Sequence, residues 1–439
     1  MPAASAWLTG TASLAKTFPL SRKLAVPPER RMDPSDTSYS SHPRRLQPSK
    51  TTSTSGQFFV LLATLAATTL LLSFIFYSIH VGHSRRSVYL LQVCLGIGAL
   101  QKSWWHYRIR QRFLAPLETS VAAIFGGGDP ERPRPDRAEY ERELFERMEP
   151  KAFAVTKFTD RWMQGVRCAP AVVTLVAASA IAAICTIIAI YCEDTVAASA
   201  GVGSFTAVVC ACLAPTPSDG FAIMVHEGAL TATAMNTMIT HYTGSETQMA
   251  ILDYLFVALA GWVIIVISRI IASKKLLECF LMVTLDTVAL LHVTVIMMEV
   301  VDFVEHPLAN NLPQELAAFF ITILSEWAPR SRRWRSHAST DFVVSVFFGA
   351  VGMMIWMLWI CATKLDTWNI IALVCAAALS QAGRSFMTLI HETAMAPPWN
   401  RTSFSVWNNG IMELMNPFLV GWIVFHPYAK TILEKEGGY

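Results

Sequence analysis

Two histidine–glutamate pairs lie inside apolar stretches of this sequence, where ionisable side chains are rare. His226 and Glu227 occur in AVVCACLAPTPSDGFAIMVHEGAL, and His391 and Glu392 occur in ALVCAAALSQAGRSFMTLIHETAM. The stretches align without a gap at one offset, 391 − 226 = 165. We infer an internal duplication that carries one such pair in each copy. Imidazole and carboxyl groups exchange protons and bind cations, so these four residues are the first candidates for a transport path.

The chemistry of the pairs depends on how the two copies meet. Neighbouring residues on a helix point about 100° apart, so a histidine need not contact the adjacent glutamate. Two copies around a pseudo-two-fold axis would bring two histidines and two carboxylates towards one site, a set suited to a proton relay or a divalent metal. The spacing matches no HExxH motif, and neither a metal nor a cofactor is identified. The alternative is structural: each pair caps a helix or ties the copies together by hydrogen bonds.

Polar residues interrupt both copies just before the pair. Pro215, Pro217 and Gly220 predict a broken helix in the first copy, and Ser380 to Arg384 predict the matching break in the second. At the same offset Asp219 aligns with Arg384. We therefore predict a salt bridge between the copies, against the alternative that both side chains are solvated in loops.

The duplication extends to a further pair of apolar segments. Residues 251–264 read ILDYLFVALAGWVI and residues 411–424 read IMELMNPFLVGWIV. Their Gly-Trp pairs suit close helix packing. Asp253 and Glu413 recur in register and are either transport-path residues or interface carboxylates. Asp286 and His292 are further ionisable residues within an apolar stretch.

The composition is that of a membrane protein with polar appendages. Of 439 residues, 53% are hydrophobic and 15% are charged, whereas soluble domains carry about 25% charged residues. The net charge of +3 is too small to indicate a nucleic-acid partner. Nine cysteines are scattered without zinc-like spacing.

We predict an all-α fold, a polytopic transmembrane helix bundle of about ten segments with an internal tandem repeat. Basic residues precede both copies, which favours parallel repeats whose entrances are both cytosolic. The predicted regions, in chain order, are a disordered basic tail (1–56), a transmembrane hairpin with a basic aromatic end (57–112), a cytosolic polar segment with a charged helix (113–167), membrane repeat 1 (168–273), connecting membrane segments with a basic loop (274–339), membrane repeat 2 (340–430) and a C-terminal tail (431–439).

Broken helices at matching positions of two repeats point to a transporter or channel-like protein for a small solute, proton or cation. A membrane-embedded enzyme acting on a lipid or isoprenoid, and a non-catalytic subunit that binds a protein partner through residues 113–167, remain alternatives. The protein is expected to be a multi-pass integral protein of the lipid bilayer, in an endomembrane or the plasma membrane rather than the mitochondrial inner membrane.

Overall fold

The computed structural model describes eight stretches of the chain, all within one compact unit, Thr54–Tyr439. The stretches are residues 84–125, 153–163, 168–242, 253–305, 312–325, 338–359, 367–394 and 410–435, with a few isolated positions between 69 and 77. Regular structure in these stretches is entirely helical. The predicted N-terminal tail (1–56), most of the predicted first span (58–80), the charged helix (136–149) and the basic loop (329–337) lie outside the described residues.

The described helices have the following bounds: α1 Ser84–Phe125, α2 Ala154–Trp162, α3 Ala169–Cys192, α4 Ala197–Cys212, α5 Pro217–Tyr242, α6 Tyr254–Ala272, α7 Leu276–Ala289, α8 Ile296–Glu305, α9 Pro313–Ser325, α10 Ala338–Trp359, α11 Thr367–Thr393 and α12 Gly410–Lys435. A short 3-10 turn, Asp194–Val196, joins α3 to α4. A π-helical segment, Leu290–Val295, joins α7 to α8 without a break.

Four of the described helices are long and apolar enough to cross a membrane: Ala169–Cys192, Tyr254–Ala272, Leu276–Val304 and Phe342–Trp359. Ala169–Cys192 contains no charge and has 17% of its apolar window buried, so its Ile and Val side chains face outwards. Leu276–Val304 has 39% buried and lies further inside the bundle. These helices are compatible with an integral membrane protein.

The predicted breaks behave differently in the two copies. In the first copy, residues 213–216 form a turn after which α5 packs antiparallel to α4, with Gly220 close to the Ala211 carbonyl. In the second copy the predicted break does not exist, because residues 380–384 lie inside the continuous helix α11. The physical reason is that Pro215 and Pro217 align with Ser380 and Ala382, which keep their N–H groups and continue a helix.

The two Gly-Trp helices differ in their direction relative to the α7–α8 helix. In α6, Tyr254 lies near Glu299 whereas Arg269 contacts Asp286, so α6 is antiparallel to the α7–α8 helix. In α12, the N-terminal Met412 bonds to Gln101 and the later His426 pairs with Glu299, so α12 runs parallel to α7–α8. The two Gly-Trp helices therefore run in opposite directions, and a simple parallel repeat does not describe them.

Charged residues separate to the two ends of the bundle. The end where α1 meets the start of α7, called the basic end, carries Arg108, Arg110, Arg112, Lys274 and Lys275. The opposite end, called the acidic end, carries Glu193, Asp194, Asp253, Glu299 and Asp302. The two ends of the bundle therefore differ in the sign of their charge.

Candidate functional site

A buried arginine lies between two carboxylates at the centre of the polar part of the bundle. Arg269, on α6, is 2% exposed. Its Nε atom donates to Asp286 Oδ2 at 2.6 Å and its Nη2 atom to Asp286 Oδ1 at 3.2 Å. Its Nη1 atom forms an ion pair with Asp219 Oδ1 at 2.8 Å. Arg269 thus joins α5, α6 and α7 through charge-assisted contacts.

The turn between α4 and α5 explains why Asp219 is available to Arg269. The Thr216 hydroxyl accepts a hydrogen bond from the Asp219 backbone N–H at 3.2 Å and donates to Asp219 Oδ2 at 2.6 Å. This local capping arrangement fixes the first turn of α5. Ser218, in the same turn, accepts a hydrogen bond from Arg269 Nη1 at 3.1 Å. The proline-containing turn therefore both reverses the chain and presents a carboxylate to the core.

Helix α1 contributes three basic side chains spaced four residues apart, which places them on one helical face. Each of them meets an ionisable residue on the α7–α8 helix, which runs antiparallel to α1. The contacts are Arg110 Nη1 to Glu278 Oε1 at 3.4 Å, His106 Nδ1 to Asp286 Oδ1 at 3.4 Å, and Lys102 Nζ to His292 Nδ1 at 3.5 Å.

The π-helical segment Leu290–Val295 brings two more polar side chains to the same place. His292 lies on it, between Lys102 and the edge-on ring of Phe386. Thr294 lies two residues further, and its hydroxyl is 2.8 Å from His226 Nδ1. Single π-helical turns inside α-helices are frequent at functional sites, because they change the direction in which side chains project.

A cavity of ≈ 20 Å³ lies among these groups. This volume admits a water molecule, for which about 10–15 Å³ is sufficient. The residues around this cavity are called the polar core from here on; its polar members are Lys102, Ser103, His106, Asp219, His226, Arg269, Asp286 and Thr294. Such a site can hold water between groups that donate and accept protons.

Of the predicted pair in the first copy, His226 lines the polar core and Glu227 does not. Glu227 is fully buried, on the side of α5 that faces α1 and α4. In the second copy, His391 and Glu392 lie in the last turn of α11, and their side chains lie outside the described residues. Their backbone is placed by Arg112, whose Nη1 atom donates to the Thr393 carbonyl at 2.7 Å.

The two His-Glu segments meet α1 at different levels. Glu227 packs against Gly96, and Thr393 is bonded to Arg112. These two positions of α1 are 16 residues apart (112 − 96), about 24 Å along the helix axis. The backbone positions therefore do not support a single site built from both copies.

The predicted salt bridge between Asp219 and Arg384 is not present in the structure. Asp219 is paired with Arg269, and Arg384 donates from Nη2 to the Ile323 carbonyl at 3.5 Å. Arg384 lies in the continuous helix α11 and contacts α9, whereas Asp219 follows the turn before α5 and contacts α6.

The two recurring acidic residues do not join the polar core as far as their side chains are described. Asp253 is exposed and caps α6, where its Oδ1 atom accepts a hydrogen bond from the Leu255 N–H at 2.9 Å. Glu413 lies in α12, with its side chain outside the described residues. Asp253 therefore caps a helix and does not line the cavity of the polar core.

Sequence reasoning missed Lys102, His106, Arg269 and Thr294 as members of the polar core. The run KSWWHYRIRQR forms the basic aromatic end of the predicted transmembrane hairpin (57–112), yet Lys102 and His106 are buried. Two signals were present in the sequence: the four-residue spacing of basic residues in this run, and one arginine in the otherwise apolar segment before Lys274. Thr294 gives no signal of this kind.

Comparison with protein-family models, with curated proteins and with solved structures finds no match to this chain. Among the described residues, no group of three or more His, Cys, Asp and Glu side chains is arranged to hold a metal ion. The function is therefore argued from the polar core itself.

Proposed function

We propose that this protein conducts or couples protons across a membrane, and that the polar core is the site through which the protons pass. The observation that carries the proposal is a buried set of ionisable side chains around a cavity of water size, next to a π-helical segment. Ionisable groups inside membrane helices cost at least about 2.5 kcal/mol each on insertion scales, and they commonly mark ion pathways and proton relays.

The types of group in the polar core support proton movement. Imidazole both donates and accepts, and its charge changes near neutral pH, so His106 and His226 can pass a proton through a bridging water. The Lys102 ammonium has three N–H donors and one polar contact among the described residues, the His292 ring at 3.5 Å. Its remaining donors have no fixed acceptor among the described residues, and the side chain lines the cavity.

The size of the cavity narrows the choice of transported species. A space of ≈ 20 Å³ holds a water molecule, whereas an organic solute or a lipid headgroup needs a site more than ten times larger. The small volume of the cavity likewise favours a proton pathway over the alternative of an enzyme acting on a lipid or isoprenoid.

The polar groups extend from the basic end to the middle of the bundle. Arg110 and Glu278 lie at the basic end, and Thr294 lies beyond the midpoint of the Leu276–Val304 span. Further along, Met297 and Met298 are fully buried and separate the polar core from Glu299 at the acidic end. We infer that this conformation is closed towards the acidic end by an apolar layer.

The proposal is tested by proton flux in liposomes. Purified protein is reconstituted with a pH-sensitive dye inside, and a potassium diffusion potential drives protons inwards. Wild-type protein is expected to acidify the lumen faster than empty liposomes do. His226→Gln keeps a hydrogen-bonding side chain beside Thr294 but cannot exchange a proton. We expect it to lower the rate at least tenfold, equivalent to about 1.4 kcal/mol on the barrier.

Asp253→Asn is the matched control for this experiment. It removes a carboxylate from the acidic end, outside the polar core, and asparagine still caps a helix. Its flux should equal that of wild type. If the wild-type flux equals that of empty liposomes, the polar core is a static tie between helices, as in a non-catalytic subunit.

A further inference from the structure

Glu227 has no ion-pair partner among the described residues. Glu227 is 0% exposed, and among the described residues neither of its carboxyl oxygens has a hydrogen-bond partner. The other buried acids nearby, Asp219 and Asp286, share Arg269. A carboxylate removed from water without a positive partner is strongly unfavourable, so Glu227 requires a bound cation.

The surroundings of Glu227 restrict which cation can bind. It is enclosed by α1 and α4, where a Cβ atom added to Gly96 would lie 2.8 Å from Oε1 and 3.4 Å from Cys210 Sγ. The nearby ionisable groups on these helices are the thiols of Cys94 and Cys210, which supply no positive charge. The absence of a Cβ at Gly96 is what makes room for the carboxyl group itself. Among the described residues, no group of three or more His, Cys, Asp and Glu side chains is arranged to hold a metal ion here.

We propose that Glu227 binds a proton and is a second proton-binding station, next to the polar core and on the side towards the acidic end. A proton is the one cation that occupies no further volume, and it converts the carboxylate into a neutral acid. His226, the preceding residue in the sequence, lines the cavity. The role of Glu227 in transport rests on the proposed function, whereas its bound proton does not.

A proton acceptor lies one helical turn from Glu227. On α1, Gln92 is one turn before Gly96, and on α5, Thr231 is one turn after Glu227. The Gln92 Nε2 atom donates to Thr231 Oγ1 at 3.1 Å and to Ser199 Oγ at 3.0 Å. Gln92 Oε1 is buried without a hydrogen-bond partner among the described residues. An acidic O–H group at Glu227 supplies the kind of donor that this amide oxygen lacks.

The test is infrared spectroscopy of the protein in lipid at neutral pH. The spectrum of wild type minus Glu227→Gln should contain the carbonyl stretching band of one protonated carboxylic acid. Asp286→Asn is the matched control, because its carboxylate is paired with Arg269 and its difference spectrum should contain carboxylate bands only. Carboxylate bands in place of the acid band in the Glu227→Gln difference spectrum would overturn the proposal.

Two further measurements distinguish failure of the variant to fold, absence of the proton on Glu227 and absence of a transport role. If Glu227→Gln does not fold, the acid band is sought in wild type labelled with ¹³C-glutamate, and failure to find a shifted band overturns the proposal. If the acid band is present, Glu227→Gln should lower proton flux at least tenfold, and unchanged flux overturns the transport role of Glu227. A wild-type flux equal to that of empty liposomes contradicts the proposed function alone.

Discussion

Replacement of Asp286 by asparagine is the perturbation whose energetic effect follows most directly from the structure. The change keeps the size of the side chain and removes a charge that meets Arg269 in two contacts, at 2.6 and 3.2 Å, and His106 at 3.4 Å. Arg269 is 2% exposed and has no access to bulk water. The guanidinium would then retain Asp219 as its remaining carboxylate among the described residues.

The magnitude comes from what is known of buried ion pairs. Removing one partner of such a pair costs about 3–5 kcal/mol, because the other charge stays buried. Since Asp219 still compensates Arg269, we expect the lower end of this range, a loss of about 3 kcal/mol in the free energy of unfolding. Asp219→Asn removes one contact, at 2.8 Å, and should cost less, about 1.5–2 kcal/mol.

The free energy of unfolding can be measured by reversible denaturation in mixed detergent micelles, with tryptophan fluorescence as the signal. Asp253→Asn serves as the exposed control and should stay within about 0.5 kcal/mol of wild type. The double variant at positions 219 and 286 should lose more than the sum of the single losses, because Arg269 would then have neither carboxylate. A loss below about 1 kcal/mol for Asp286→Asn, or a larger loss for Asp219→Asn, would refute the reasoning.

Two further predictions concern packing and topology. Gly96→Ala places a Cβ in overlap with the Thr206 Cγ2 methyl and 2.8 Å from Glu227 Oε1, and it should cost about 1–3 kcal/mol in unfolding free energy. Gly228→Ala meets nothing within 4 Å and should be neutral or stabilising by up to about 1 kcal/mol; equal effects at both positions would contradict the packing around Gly96. Cys168 and Cys192 are exposed at opposite ends of Ala169–Cys192. In variants that retain one of them, an impermeant maleimide should label them from opposite sides of the membrane, and labelling of both from one side would exclude this span.

The elements that depend on local chemistry could be predicted from the sequence. A charge-free apolar run indicated the span Ala169–Cys192, and an apolar run interrupted by Arg269 indicated the span Tyr254–Ala272. Pro215 and Pro217 located the turn before α5, because proline cannot continue the hydrogen bonding of a helix. The second aligned segment shows the limit of the alignment. A break was predicted there because the two segments are similar, but this segment lacks the prolines and α11 continues through it.

The pairings within the site could not be obtained in the same way. Asp219 was matched with Arg384 by alignment, but the cation that it meets is decided by how α5 packs against α6. Lys102 and His106 lie in the basic aromatic end of the predicted hairpin, and a run of this composition is typical of the membrane interface rather than of a buried site. Their burial depends on contacts with distant residues: His106 meets Asp286, which is 180 residues later (286 − 106), and Lys102 meets His292, which is 190 residues later.

The central claim is that protons pass through the polar core, and one flux measurement tests it directly. Wild type and the double variant His106→Gln/His226→Gln are reconstituted at equal density, as verified by quantitative immunoblot, and exposed to the same imposed potential. The account predicts rapid lumenal acidification by wild type and a rate close to that of empty liposomes for the double variant. Equal rates for wild type, the double variant and empty liposomes would contradict it.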